Sequence, residues 1–249
     1  MCYKRKLSRA VCLVFAAIAL SLFLSASDVA KSLSAAWNAN VADGATALTE
    51  AGGIEIGAFV GENPPTAGAV KDFEDLVGRH ISSVMWYQGW DSAGQPAFPC
   101  SDVIPVVYHD GYDTDVNLNL TWEPWVDLAD IVDGVYDSYL ASYANDIKNC
   151  GLETRLRFGH EMIQNDVLDG GEWYPWQDQP SAYTMAFRHV HDVFQTAGAM
   201  NVEFVWCPQD YYSLDMLTVL QKYYPGSEYV DWLCIDGYKK DGYDWITGW

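Results

Sequence analysis

Basic residues are scarce in this chain: 14 Lys and Arg stand against 34 Asp and Glu, for a formal charge of -20. A phosphate backbone needs a basic footprint, so this balance argues against a nucleic-acid partner and leaves a neutral ligand the easier one to accept. Long hydrophobic stretches are also few. The prominent one, Ala10 to Leu24, has fifteen residues, short of the about 20 that a membrane-spanning helix needs. Histidine is sparse too, at five residues, and the cysteine spacing resembles no zinc motif, so no metal is expected. No repeat or low-complexity tract interrupts the chain.

What is present points to a folded, exported protein. Half of the 249 residues are apolar, enough for a sizeable core, and 11 Trp with 16 Tyr supply broad rigid surfaces with polar tips that suit flat neutral ligands such as sugar rings. Lys4, Arg5, Lys6 and Arg9 precede the Ala10 to Leu24 run, and Ser25, Ala26 and Ser27 follow it. This is the pattern of a signal peptide over 1–27, which predicts secretion, or membrane anchorage if the segment stays uncleaved. Residues 28–50 read as a linker or helical lead-in, and 51–249 as the domain proper. Past the leader, Cys100, Cys150, Cys207 and Cys234 could pair in three ways, although a buried thiol suits Cys207 and Cys234 as well as a bridge does.

Short apolar runs then alternate with amphipathic stretches, the signature of a parallel sheet wrapped by helices. Strands are expected at Ile54 to Val60, Ile81 to Tyr87, Val116 to Trp122, Leu152 to Phe158, Val202 to Trp206 and Val230 to Ile235. The clearest helix is Ser181 to Ala197, and another spans about Tyr136 to Asn149. Chemically capable clusters follow most of the strands: Trp86-Tyr87, Trp122-Glu123-Pro124-Trp125, His160-Glu161, Pro208-Gln209-Asp210 and Asp236-Gly237-Tyr238. Side chains spread over the carboxyl ends of several strands favour a (β/α)8 TIM barrel over a doubly wound sheet. Such a barrel commonly takes about 250 residues, so about six of eight βα units are expected here, with strands seven and eight missing and the chain truncated.

Glycosidic cleavage usually takes two carboxyl groups, and Glu161 is the first choice for the proton donor. It follows a strand, adjoins His160 and lies upstream of Trp173-Tyr174-Pro175-Trp176, where burial among aromatics is expected to keep it protonated. Trp173 and Trp176 are candidate sugar-stacking platforms, and Arg157 could pair with a buried acid. Arg157-Phe158-Gly159-His160-Glu161-Met162, followed by Trp173-Tyr174-Pro175-Trp176, resembles the fourth-strand signature of glycoside hydrolase family 26. Thr121 to Trp125, Val205 to Pro208, and Tyr224-Pro225-Gly226 through Asp236-Gly237-Tyr238 match its third, fifth and sixth strands in order. Ten residues, Ile163 to Glu172, separate Met162 from Trp173 where the family usually has a few, so the adjacent cleft is expected to differ.

The resemblance implies a retaining endo-hydrolase of neutral β-linked plant polysaccharide that needs no cofactor, with Glu161 as acid/base and a strand-seven glutamate, absent from this chain, as nucleophile. It implies β-1,4-mannan as the first substrate, with mixed-linkage β-1,3-1,4-glucan as the alternative. His160, Trp173, Tyr238, Asp236 and Glu123 are implied as substrate-binding or orienting residues. A non-catalytic carbohydrate-binding barrel is the rival reading, and the chain as it stands is expected to be inactive.

Overall fold

The structure, a computed structural model, describes residues 3–4, 55–108, 116–163, 173–209 and 216–237. Tyr238, Asp210, 164–172 of the long loop and nearly all of the proposed leader and linker lie outside these residues. Two units are distinguished: Met1–Lys4 with Gly57–Trp249, and Arg5–Ile56. Of the second, only Glu55 and Ile56 are described, and both are exposed.

Seven strands form one sheet: β1 (Tyr3–Lys4), β2 (Gly57–Phe59), β3 (Ser83–Trp90), β4 (Asn117–Pro124), β5 (Thr154–Phe158), β6 (Val202–Trp206) and β7 (Trp232–Leu233). From β2 to β7 every neighbour is next in sequence and parallel, the order of a β/α barrel, and these six strands form an incomplete (β/α)8 barrel. The short β1 adds antiparallel to β7, a pairing the sequence pattern did not suggest.

Helices cover the outer face: α1 (Ala67–Val77), α2 (Cys100–Val107), α3 (Leu128–Val132), α4 (Asp137–Cys150), α5 (Pro180–Ala197) and α6 (Met216–Tyr223). Among them no helix is long and apolar enough to cross a membrane. α5 opens on Pro180, whose missing N–H costs nothing in a first turn, and stops at Gly198 in the left-handed conformation. Its buried Tyr183, Phe187, Val190 and Phe194 face the stripe Tyr139, Tyr143 and Ile147 of α4 and the outward residues of the sheet.

The period of two along each strand separates a helix-facing set from an inward one. Leu118, Leu120 and Trp122 of β4, Leu156 and Phe158 of β5, and Phe204 of β6 enter the helix-covered core, where Trp122 stacks on Tyr143 at 4.5 Å. The alternate residues Met85, Tyr87, Thr121 and Arg157 meet one another on the inner side, and Arg155 approaches Glu203 and lies over the Trp232 ring. Cys100 and Cys150 form a disulfide that joins the start of α2 to the end of α4, while Cys207 and Cys234 are both buried.

Candidate active site

Arg157 is the hub of the inner face. Buried near the end of β5, its Nη1 donates to both Asp236 carboxylate oxygens at 2.6 and 2.8 Å, its Nε donates to Thr121 Oγ1 at 2.8 Å, and Nη1 also approaches Cys207 Sγ at 3.6 Å. The acid that the sequence left unnamed is therefore Asp236, partly buried and placed 79 residues downstream by the strand register. A guanidinium this well partnered carries no uncompensated desolvation cost.

Just past β5 the backbone turns sharply. Gly159 has φ 52° and Glu161 has φ 51°, the latter a conformation that non-glycine residues seldom adopt and that surrounding contacts must enforce. Here they do. The Glu161 N–H donates to the Cys207 carbonyl at 3.0 Å, and the Glu161 carbonyl accepts from Gln177 Nε2 at 2.8 Å. Gln177 in turn accepts the backbone N–H groups of Trp173 and Tyr174 on its Oε1. Gln177 is a positioning residue that sequence reasoning missed; a polar residue with no motif of its own gives little signal for a buried bracket.

An aromatic wall stands beside Glu161. Tyr174 and Trp176 stack at 4.5 Å with planes 8° apart, Trp125 packs edge-on against both, and His160 lies 5.0 Å from the Tyr174 ring and 5.8 Å from Tyr87. Trp176 is fully buried and donates from Nε1 to the His160 carbonyl, so its reading as a candidate stacking platform is corrected: its faces are covered by the wall. Trp173, 63% exposed, and Trp125, 45% exposed, are the solvent-accessible tryptophans of this cluster. Gly89 lets Trp125 approach, since a Cβ there would sit 3.1 Å from the indole.

The site's electrostatics follow from burial. His160 is driven down to about 3, by desolvation first and by the neighbouring Arg157 charge second, so its ring is neutral across the physiological range. Glu123, which accepts from Trp125 Nε1 at 3.4 Å, is raised above the ordinary carboxylate range chiefly by desolvation, against the lowering effects of that hydrogen bond and of Arg157. Burial, then the charges of Glu161 and Glu123, push the Tyr174 hydroxyl up to about 12.

His160, Glu161 and Asp236 bring donor atoms within 4.8 Å of one another, and so do Cys207, Cys234 and Asp236. Arg157 supplies positive charge to Asp236 and approaches Cys207, so a cation placed in either cluster would face a fixed guanidinium. The structure thus gathers His160, Glu161, Asp236, Glu123 and Trp173 on the carboxyl side of the sheet, with Tyr238 outside the described residues.

An incomplete parallel β/α barrel with carboxylates and exposed tryptophans at the carboxyl ends of its strands is the architecture on which barrel enzymes build their sites. The model of glycosyl hydrolase family 26 matches residues 106–249, and the chain belongs to that family. It is 34% identical over 197 residues to Endoglucanase H of Acetivibrio thermocellus, a match covering 75% of this chain and 20% of that protein. The family 26 domain of an endo-β-mannanase/endo-β-glucanase from Prevotella bryantii shares its fold, with TM-score 0.51, 17% identity, and coverage of 74% of this chain and 66% of that one. The Bacillus subtilis mannanase BCman does so with TM-score 0.52, 16% identity, and coverage of 76% and 64%. The chain therefore spans a fifth of the curated relative and just under two thirds of these solved chains.

Proposed function

We propose that this chain is the acid/base-bearing part of an exported, endo-acting, retaining hydrolase of β-linked plant polysaccharide. The observation that carries the reading is the bracketing of Glu161: a family 26 glutamate held in a left-handed backbone conformation between β6 and Gln177, beside an aromatic wall and within reach of His160 and Asp236. Glu161 protonates the departing glycosidic oxygen and then deprotonates water. The Arg157–Asp236 pair fixes the floor of the site, Trp173 and Trp125 offer faces to sugar rings, and Glu123 and neutral His160 supply hydrogen bonds to hydroxyls. The family resemblance assigns Tyr238, outside the described residues, an orienting role.

Both Asp236 oxygens accept from Arg157, which suits Asp236 to orienting the site rather than to the nucleophile's place. The attacking carboxylate of a retaining pair, about 5 to 5.5 Å from the acid, comes from outside the described residues. Export is supported by the basic and apolar leader and by the Cys100–Cys150 disulfide.

The 34% identity to a protein named Endoglucanase H favours a β-glucan, mixed-linkage β-1,3-1,4-glucan first, over the β-1,4-mannan that the motifs alone suggested. Mannan is the second reading. The test is reducing-sugar release from lichenan and from mannan by the chain extended through the rest of its reading frame. Release from lichenan alone supports the glucan reading, release from mannan alone replaces it, and release from neither leaves a carbohydrate-binding barrel.

A further inference from the structure

Cys207 and Cys234 are not used by the mechanism above, yet the sheet aligns them. In the parallel ladder between β6 and β7, Val205 pairs with Trp232 and Trp206 with Leu233, and beyond the strands Gln209 bridges to Asp236 in the same offset. Cys207 therefore lies directly beside Cys234. The Cys234 N–H donates to the Trp206 carbonyl and the Asp236 N–H to the Pro208 carbonyl, so the ladder runs through the pair. Adjacent strands lie about 4.7–4.9 Å apart, inside the Cα spacing of about 4.4–6.8 Å that a disulfide spans. Both side chains are buried, pack with Val205 and Trp232 in one small cluster, and bring their sulfurs within 4.8 Å.

We propose that Cys207 and Cys234 are oxidised to a cross-strand disulfide that clamps the two segments holding the site. One partner is bonded to the acid: the Cys207 carbonyl receives the Glu161 N–H, and its sulfur faces Arg157. The other lies two residues before Asp236 on the segment that Arg157 grips. A bond between them ties the acid's backbone support to the strand bearing its neighbouring carboxylate, where β7 itself contributes only two ladder residues. A bound cation is the poorer use of this cluster, because the Arg157 guanidinium already meets Asp236 and Cys207.

The oxidant is a low-molecular-weight disulfide acting during folding, before the sulfurs are buried. One cysteine thiolate attacks it, releasing one small thiol and leaving a mixed disulfide. The second cysteine thiolate then displaces the second small thiol, so the two protein thiols are oxidised as the small disulfide is reduced, and their protons end on the released thiols. The inference rests on the register and not on the choice of glycan.

The full chain is folded in reduced and oxidised glutathione, denatured, alkylated without reductant and digested with trypsin, which cleaves after Lys222 between the two cysteines. Mass spectrometry is expected to find a linked peptide pair containing Cys207 and Cys234, lacking the two thiol hydrogens, alongside the Cys100–Cys150 pair. In a Cys234→Ser variant, Cys207 should become alkylated. Alkylated Cys207 and Cys234 in the unaltered chain, a bridge from either to another cysteine, or stoichiometric zinc retained on intact thiols would each overturn the proposal.

Discussion

The centre and the far side of the sheet hold their site residues by different means. β4 and β5 pair in full register between a dense outer core and the inner Arg157 network, and Glu161 inherits its position from that rigid frame. β7 has two residues, with Leu233 and the following Ile235 41% and 50% exposed, and Asp236 is held by Arg157, by the bridge to Gln209 and by backbone bonds to the β6 segment. Hydrophobic burial fixes the first region and directed polar contacts fix the second. Perturbing one kind of contact should therefore damage one region far more than the other.

Asp236→Ala is expected to have the largest effect on stability, about 3 to 5 kcal/mol, because it strands a buried guanidinium. Urea unfolding measures it, and a loss below about 0.5 kcal/mol, typical of an exposed surface site, would show that the far side does not depend on the pair. Leu156→Ala in β5, fully buried, should cost about 2 to 5 kcal/mol, whereas Leu233→Ala in β7 should stay within about 0.5 kcal/mol. Equal shifts in the unfolding midpoint would erase the contrast.

Acid should sharpen it further. The His160 ring is held down to about 3 when folded, against 6.5 for the ordinary ring, so between these values the unfolded chain binds the extra proton. Stability should fall as pH drops through 6.5, by up to about 1.4 kcal/mol per pH unit from this group. Comparing urea midpoints of the native chain and His160→Gln across that window isolates the contribution, and identical slopes would remove His160 as its source.

The strand ends were the legible part of the sequence because barrel strands bury alternate residues and then stop at polar clusters. α4 and α5 form within a residue of their expected limits, since their apolar stripes and the glycines after them are local signals. Strand limits moved where pairing overrode propensity. β3 runs on through Gln88-Gly89-Trp90 because Trp122-Glu123-Pro124 lies alongside to pair with it, and β7 shrinks to Trp232–Leu233. Long-range choices were illegible: which acid meets Arg157, which cysteines bond, and that Gln177 rather than a motif residue brackets Glu161. Trp176 looked like a platform and is a buried strut, because composition does not say which face of an aromatic cluster meets solvent.

The most direct test of the central claim compares Glu161→Ala with the unaltered sequence, both extended through the rest of the reading frame, on a polysaccharide and on an aryl glycoside whose leaving group needs no proton. General acid catalysis contributes roughly 10²–10⁴-fold, so polysaccharide hydrolysis should fall by about that factor while glycosylation by the activated aryl glycoside is nearly spared. An equal loss on both substrates, or no loss on either, would contradict the assignment of Glu161 as the proton donor.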